Sequence, residues 1–325
     1  MGLLSKILST MSGNNDIKVS EQLLFDKVVG FRNIVPGCGA STIIQNLAIA
    51  LSEKTKFNIC VLDTNFLYPI QYPLLSSAEI SEKEIDYLDY SGELSKVIRN
   101  TNYQNIYIAQ LERRTIVDML SGKDTEVAVS KFMANLKSYF DIILVDLSYE
   151  TTNISIHSAI KCNKIYQVAD TSFKCLYYIK KSLNTMVTLG VPIAKANKVI
   201  LNKELPDVVL GVGDALSDAG LEIVATIPYS IDIAVLNASG KKLYGALSKS
   251  KGISVFNNAI DTVLNDMLEK TPLNNSYVDV SKELLKMENS EQVINKENEE
   301  IMDVEDGGFI EEEIIEEILD ENEVE

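Results

Sequence analysis

The chain has 325 residues, 46% hydrophobic and 24% charged, the proportions of an ordinary soluble globular protein with room for one large α/β domain or two small ones. Its net charge of −17 sits mostly at the end: Ser281 to Glu325 holds 18 Asp and Glu against 3 Lys, a net of −15, which leaves about −2 for everything before it. No run of about 18 apolar residues occurs, which excludes a transmembrane helix, and the start is too short and too polar for a signal peptide.

Taken in order, residues 1–26 read as a short helix and a linker. Leu3, Leu4, Ile7, Leu8 and Met11 share one helical face, so residues 3–11 suit either a weak membrane or partner anchor or a short helix docked on the body. Two β-branched apolar runs follow, Val28 to Ile34 and Phe57 to Leu62. Between them Ile43, Ile44, Leu47, Ala48 and Leu51 recur at helical spacing from Ala40 to Ser52. Strand, glycine loop, helix and strand predict a βαβ unit with parallel strands. Tyr68 to Tyr90 is rich in Tyr and acids, Asn105 to Gln110 reads as a strand and Thr125 to Tyr139 as an amphipathic helix. Phe140 to Ser148 contains another strand. Further strands are expected at Lys164 to Val168, Lys198 to Leu201 and Glu222 to Thr226, with helices at Ser172 to Leu189, Pro206 to Ala219 and Val255 to Leu268. This alternation predicts a doubly wound, mostly parallel sheet with helices on both faces, whose ligands bind beyond the carboxyl ends of the strands. Residues 271–325 form a linker and an acidic tail whose composition favours disorder from Asn289 on. Within it Phe309 to Leu319 interleaves isoleucines with glutamates, which suits either a segment folding on a basic, grooved partner or a solubilising tail. The four cysteines, Cys38, Cys60, Cys162 and Cys175, form no CxxC and no close pair in sequence, and read as buried free thiols in a reducing cytoplasm. His157, the single histidine, cannot found a histidine metal cluster.

The chemistry concentrates in PGCGAST, Pro36 to Thr42. Gly37 and Gly39 let the backbone turn tightly and approach an anion, and Ser41 and Thr42 fall in the first helical turn, where free N–H groups favour phosphate. A Walker A loop, GxxxxGK followed by Ser or Thr, places Lys on the β- and γ-phosphates; here that position is Ala40.

These residues resemble the loop of the ParA/MinD-type P-loop ATPases, the deviant Walker A or SIMIBI class, whose pattern is KGGxGK and two hydroxyl residues. On that pattern Val35 takes the signature Lys, Pro36 the first Gly and Ala40 the second Lys. VLDTNFLYP is similar to the family's switch segment, with Asp63 on its first Asp and Asn65 on its second. FDIILVDLS resembles the Walker B strand, with Asp146 as its acid. VILNK resembles the strand whose Asn, here Asn202, sits near adenine, and Gly220 to Ser230 with Val235 to Leu243 resembles the late strand, proline turn and helix. The resemblance covers residues 27–270 and implies a degenerate member of the family, nearest the TadZ/CpaE type of pilus-assembly localisation proteins. About 25 residues precede the first strand, where that subgroup carries a receiver-like domain.

What the resemblance implies is specific. Gly37, Cys38, Gly39, Ala40, Ser41, Thr42 and Asn202 would bind ATP; Ser41 and Asp146 would hold Mg²⁺; Asp63 and, weakly, Asn65 would serve hydrolysis. With both lysines missing, hydrolysis should be weak or absent, since a cation on the transferring phosphate is worth about 10³–10⁵ in rate. Arg32, at the end of the first strand, replaces that charge only if it points toward the loop. The expected role is a homodimeric positioning or scaffold factor. The alternatives are an active partition-type ATPase binding DNA through Lys241, Lys242, Lys249 and Lys251, or a structural pseudo-ATPase subunit.

Overall fold

In the computed structural model, residues 27–65, 69–76, 94, 98–110, 125–205, 212–246 and 250–268 are described. The expected first helix and the tail, including residues 309–319, lie outside them. Among the described residues eight strands form one sheet in the order β3-β4-β2-β5-β1-β6-β7-β8. The strands are β1 (Val28–Asn33), β2 (Ile59–Asp63), β3 (Ile98–Asn100), β4 (Ile106–Gln110), β5 (Ile142–Leu147), β6 (Lys164–Ala169), β7 (Lys198–Glu204) and β8 (Glu222–Pro228). All neighbours are parallel except β3 and β4. The sheet is therefore the doubly wound, mostly parallel one that the alternation predicts, with an antiparallel edge strand of three residues that no sequence pattern announces.

The helices are α1 (Ala40–Lys54), α2 (Gln71–Leu75), α3 (Thr125–Tyr139), α4 (Asn153–Lys161), α5 (Phe173–Thr188), α6 (Val212–Asp218), α7 (Ile231–Ala238) and α8 (Lys251–Leu268). Of the helix expected over Pro206 to Ala219, Val212–Asp218 is seen and residues 206–211 are outside the described set. α4 was not expected, because its sequence, NISIHSAIK, is short and mixed; the Thr152 side chain caps it by accepting from Ser155 N–H at 3.2 Å. The late helix begins at Ile231, earlier than the Val235 start that the resemblance suggests, directly after the proline turn.

Strands β1, β2 and β5 are buried almost throughout, which is why they read as unbroken apolar runs. Register partners Phe31 and Tyr166 stack at 5.3 Å across β1 and β6. α1 is buried on most of its circumference because α8 covers the side turned from the sheet. Each fully buried Leu or Ile on it contributes about 1.5–3 kcal/mol. Asn46, a fully buried amide on α1, is satisfied: its Oδ1 accepts from the Leu243 and Tyr244 N–H groups and its Nδ2 donates to the Thr42 carbonyl. That bond set ties the segment after α7 to α1 and fixes the far wall of the site.

Candidate functional site

A cavity of about 810 Å³ opens at the carboxyl ends of the strands, lined by the loop after β1, the ends of β5 and β7, and α7. It brings together Gly37, Gly39, Ala40, Ser41, Thr42, Asn65, Asp146 and Asn202. Cys38 does not line it. Its side chain is fully buried on the other side of the loop, against Cys175.

The loop needs its glycines for stated reasons. Gly37 and Gly39 hold φ of 92° and 106°, and a Cβ on Gly39 would stand 2.4 Å from Asn202 Nδ2. Asn202 Nδ2 donates to the Cys38 carbonyl at 2.7 Å, so this amide clamps the loop as well as lining the cavity. The Ala40 N–H, a donor that the loop would offer an anion, already goes to Asn33 Oδ1 at 2.9 Å. An entering phosphate competes with Asn33 for it. Val35 and Ala40, the positions of the missing lysines, are buried apolar residues.

Sequence reasoning missed two residues here. Lys203 is the sole cation lining the cavity among the described residues, and its Nζ donates to the Gly37 carbonyl at 2.6 Å. It is also the one non-glycine among the described residues with positive φ, 55°, beside an irregularity in the β7–β8 register. Strain of about 1–3 kcal/mol of this kind persists where surroundings impose it. The signal was its place beside Asn202. Gln71, fully buried at the start of α2, donates from its backbone N–H to Asp63 Oδ2 at 3.1 Å. Its Nε2 donates to Asp146 Oδ2 at 2.7 Å and to the Ser41 carbonyl at 3.2 Å.

Asp63 and Asp146 are register partners at the ends of β2 and β5, and both are buried. Asp63 accepts the N–H groups of Asn65, Ile70 and Gln71, at 2.9, 2.9 and 3.1 Å. Burial first, and then the neighbouring Asp146 charge, still push its carboxyl up to about 7. Burial also raises Asp146, against the hydrogen bonds from Gln71 and the Ser41 hydroxyl. Ser41 and Asp146 line the cavity and offer it a hydroxyl and a carboxylate, while Asp63 does not line it and stands buried behind them with its oxygens held by backbone N–H groups. The hydroxyl and carboxylate oxygens suit Mg²⁺.

Arg32 does not replace the missing charge. Side chains alternate along a strand, so Asn33 faces the cavity while Arg32 turns to the opposite face. There its Nη1 donates to Ser182 Oγ at 2.5 Å and its guanidinium lies 5.7 Å from the Tyr149 ring centre. Of the four lysines proposed as a patch, Lys242 pairs with Glu53 at 3.3 Å, Lys241 and Lys251 are exposed, and Lys249 lies outside the described residues. No helix among the described residues is long and apolar enough to cross a membrane.

The parallel sheet, the glycine loop leading into α1 and the acid at the end of β5 define a P-loop NTPase fold of the ParA/MinD type. Comparison with solved structures agrees. The chain is similar to a ParA family ATPase from Chlorobium tepidum (19% identity over 72% of this chain and 98% of that one, TM-score 0.59). It is similar to McdA from Cyanothece in complex with ATP (16%, 77% and 99%, TM-score 0.62). It is also similar to the septum site-determining protein MinD from Pyrococcus horikoshii, complexed with Mg-ADP (18%, 74% and 95%, TM-score 0.55). No family model matches the sequence, and neither does any curated protein.

Proposed function

We propose that this chain is a cytoplasmic, ParA/MinD-like positioning or scaffold protein that binds ATP and Mg²⁺, hydrolyses ATP slowly or not at all, and dimerises across its nucleotide face. The observation that carries the reading is the cavity itself. It keeps the loop glycines and Ser41 and, at the end of β5, Asp146, while both lysine positions are apolar. Ser41 and Asp146 would hold Mg²⁺, with Asp63 behind them, and the bound ion would neutralise phosphate oxygens. Lys203 binds the anion from the β7 side, and Gln71 keeps Asp63 and Asp146 in register. Losing a charge-assisted contact costs about 1.5–3 kcal/mol of binding, which a nucleotide with several other contacts survives. The rate loss is larger, about 10³–10⁵, because the transition state concentrates charge where the lysine is missing.

Dimerisation across this face is supported by apolar side chains at the cavity's edge: Tyr229, Ile231 and Val235 are each more than half exposed, at 54%, 64% and 60%. The acidic segment 309–319 is the proposed grip on a basic protein partner. Calorimetric titration with ATP and Mg²⁺, repeated on Asp146→Ala, tests the core of the reading. Saturable binding abolished by the substitution, with negligible phosphate release, is expected. A folded protein giving no heat at millimolar ATP, or one turning ATP over briskly, overturns it.

A further inference from the structure

The fold brings together two cysteines 137 positions apart in sequence. Cys38 lies in the loop between Gly37 and Gly39, and Cys175 lies in the first turn of α5. Asp170 sits in the turn between β6 and α5. The two Sγ atoms and a carboxylate oxygen of Asp170 all lie within 4.8 Å of one another. Tetrahedral Zn²⁺, with Zn–S of about 2.3 Å and Zn–O of about 2.0–2.2 Å, spaces its ligand atoms about 3.4–3.8 Å apart. Modest side-chain rotation therefore closes the set around one ion. Two thiolates and a carboxylate select a borderline-soft divalent cation over Mg²⁺ or Ca²⁺.

The surroundings are organised for this. Asp170 Oδ1 accepts both the Ser172 N–H at 3.0 Å and the Ser172 hydroxyl at 2.5 Å, which orients the carboxylate from behind. The Asp170 N–H donates to Cys175 Sγ at 3.4 Å, and the α5 N-terminus adds its dipole. Both sulfurs are buried and Asp170 is half-exposed, so an ion enters past the carboxylate. The other two cysteines have no such partners: Cys162 Sγ donates to the Ser158 carbonyl at 3.2 Å.

We infer that Cys38, Cys175 and Asp170 bind a Zn²⁺-class cation, with water at the fourth position, fastening the glycine loop to the start of α5. The loop would then owe its shape to Asn202 and Lys203 on one side and to the metal on the other. This site is separate from Ser41 and Asp146 and stands whether or not ATP binds.

The test uses the reduced full chain with Co²⁺ as probe. One equivalent should give a thiolate-to-cobalt charge-transfer band that Zn²⁺ displaces. The band should vanish in Cys38→Ser and Cys175→Ser, weaken at least tenfold in apparent affinity in Asp170→Asn, and persist in Cys60→Ser. Folding is checked by circular dichroism; if Cys38→Ser does not fold, Cys175→Ser and Asp170→Asn decide. No band in the wild-type chain, a band surviving in Cys175→Ser, or Cys38–Cys175 disulfide formation with no metal bound overturns the inference.

Discussion

The carboxylate pair yields a prediction whose sign runs against ordinary acid denaturation. Asp63 goes from 3.8 to about 7 on folding, roughly three pKa units, which corresponds to about 4 kcal/mol. A raised carboxyl holds its proton in the folded chain after the unfolded chain has released it. The metal-free protein therefore loses stability through this group as pH rises from about 4 to about 7, and the full cost stands above that. Asp146→Asn keeps an oxygen for the Gln71 amide at 2.7 Å but removes the second charge. At pH 8 without Mg²⁺ the variant should be more stable than wild type by about 1–3 kcal/mol, part of that 4 kcal/mol cost. At pH 4.5 the two should be nearly equal. Urea denaturation of both proteins in chelator at the two pH values measures this, and taking their difference cancels the other acids. Adding Mg²⁺ and ATP at pH 8 should then stabilise wild type and not the variant. An Asp146→Asn protein that is less stable at pH 8, or whose difference from wild type ignores pH, refutes the reasoning.

Three further outcomes follow from the loop. Ala40→Lys restores a charge at a cavity-lining position, so ATP affinity measured by calorimetry should rise by roughly 10–150-fold, the equivalent of 1.5–3 kcal/mol; unchanged affinity would show that the loop does not hold phosphate. Lys203→Met should weaken ATP binding at least tenfold while leaving the melting temperature nearly unchanged, and binding within twofold of wild type removes Lys203 from the site. Asn33→Ala frees the Ala40 N–H, and it should cost about 1 kcal/mol of stability as a lost cap does yet strengthen ATP binding severalfold. Those opposite signs separate competition for the donor from simple damage.

The apolar runs at Val28, Ile59 and Ile142 and the helical spacing of Ile43, Ile44, Leu47 and Leu51 were legible because burial on both faces leaves a continuous signature. The glycine loop was legible because positive φ leaves few residue choices. β3, three residues long, exists through its pairing with β4, and α4 through the Thr152 cap and the packing above it, so neither carries enough pattern of its own. The site residues were half legible. Gly37, Ser41, Asp146 and Asn202 could be placed by order along the chain. Gln71 could not, since nothing in QYPLL marks an amide that will bridge Asp63 and Asp146.

Sequence alone therefore determined where the long, buried strands and helices lie and how they alternate, though not β3 or α4, and that the glycine loop lacks both lysines of the pattern it resembles. The tertiary structure decided where charge and sulfur go. One residue of strand parity sends Arg32 to Ser182 while Asn33 enters the cavity. A left-handed Lys203 delivers its ammonium to Gly37 from a strand 166 residues away. Cys38 and Cys175 meet only because β1 and β6 pair in register. Local periodicity cannot encode such meetings: they depend on which strands are neighbours, and that is settled by packing the whole sheet.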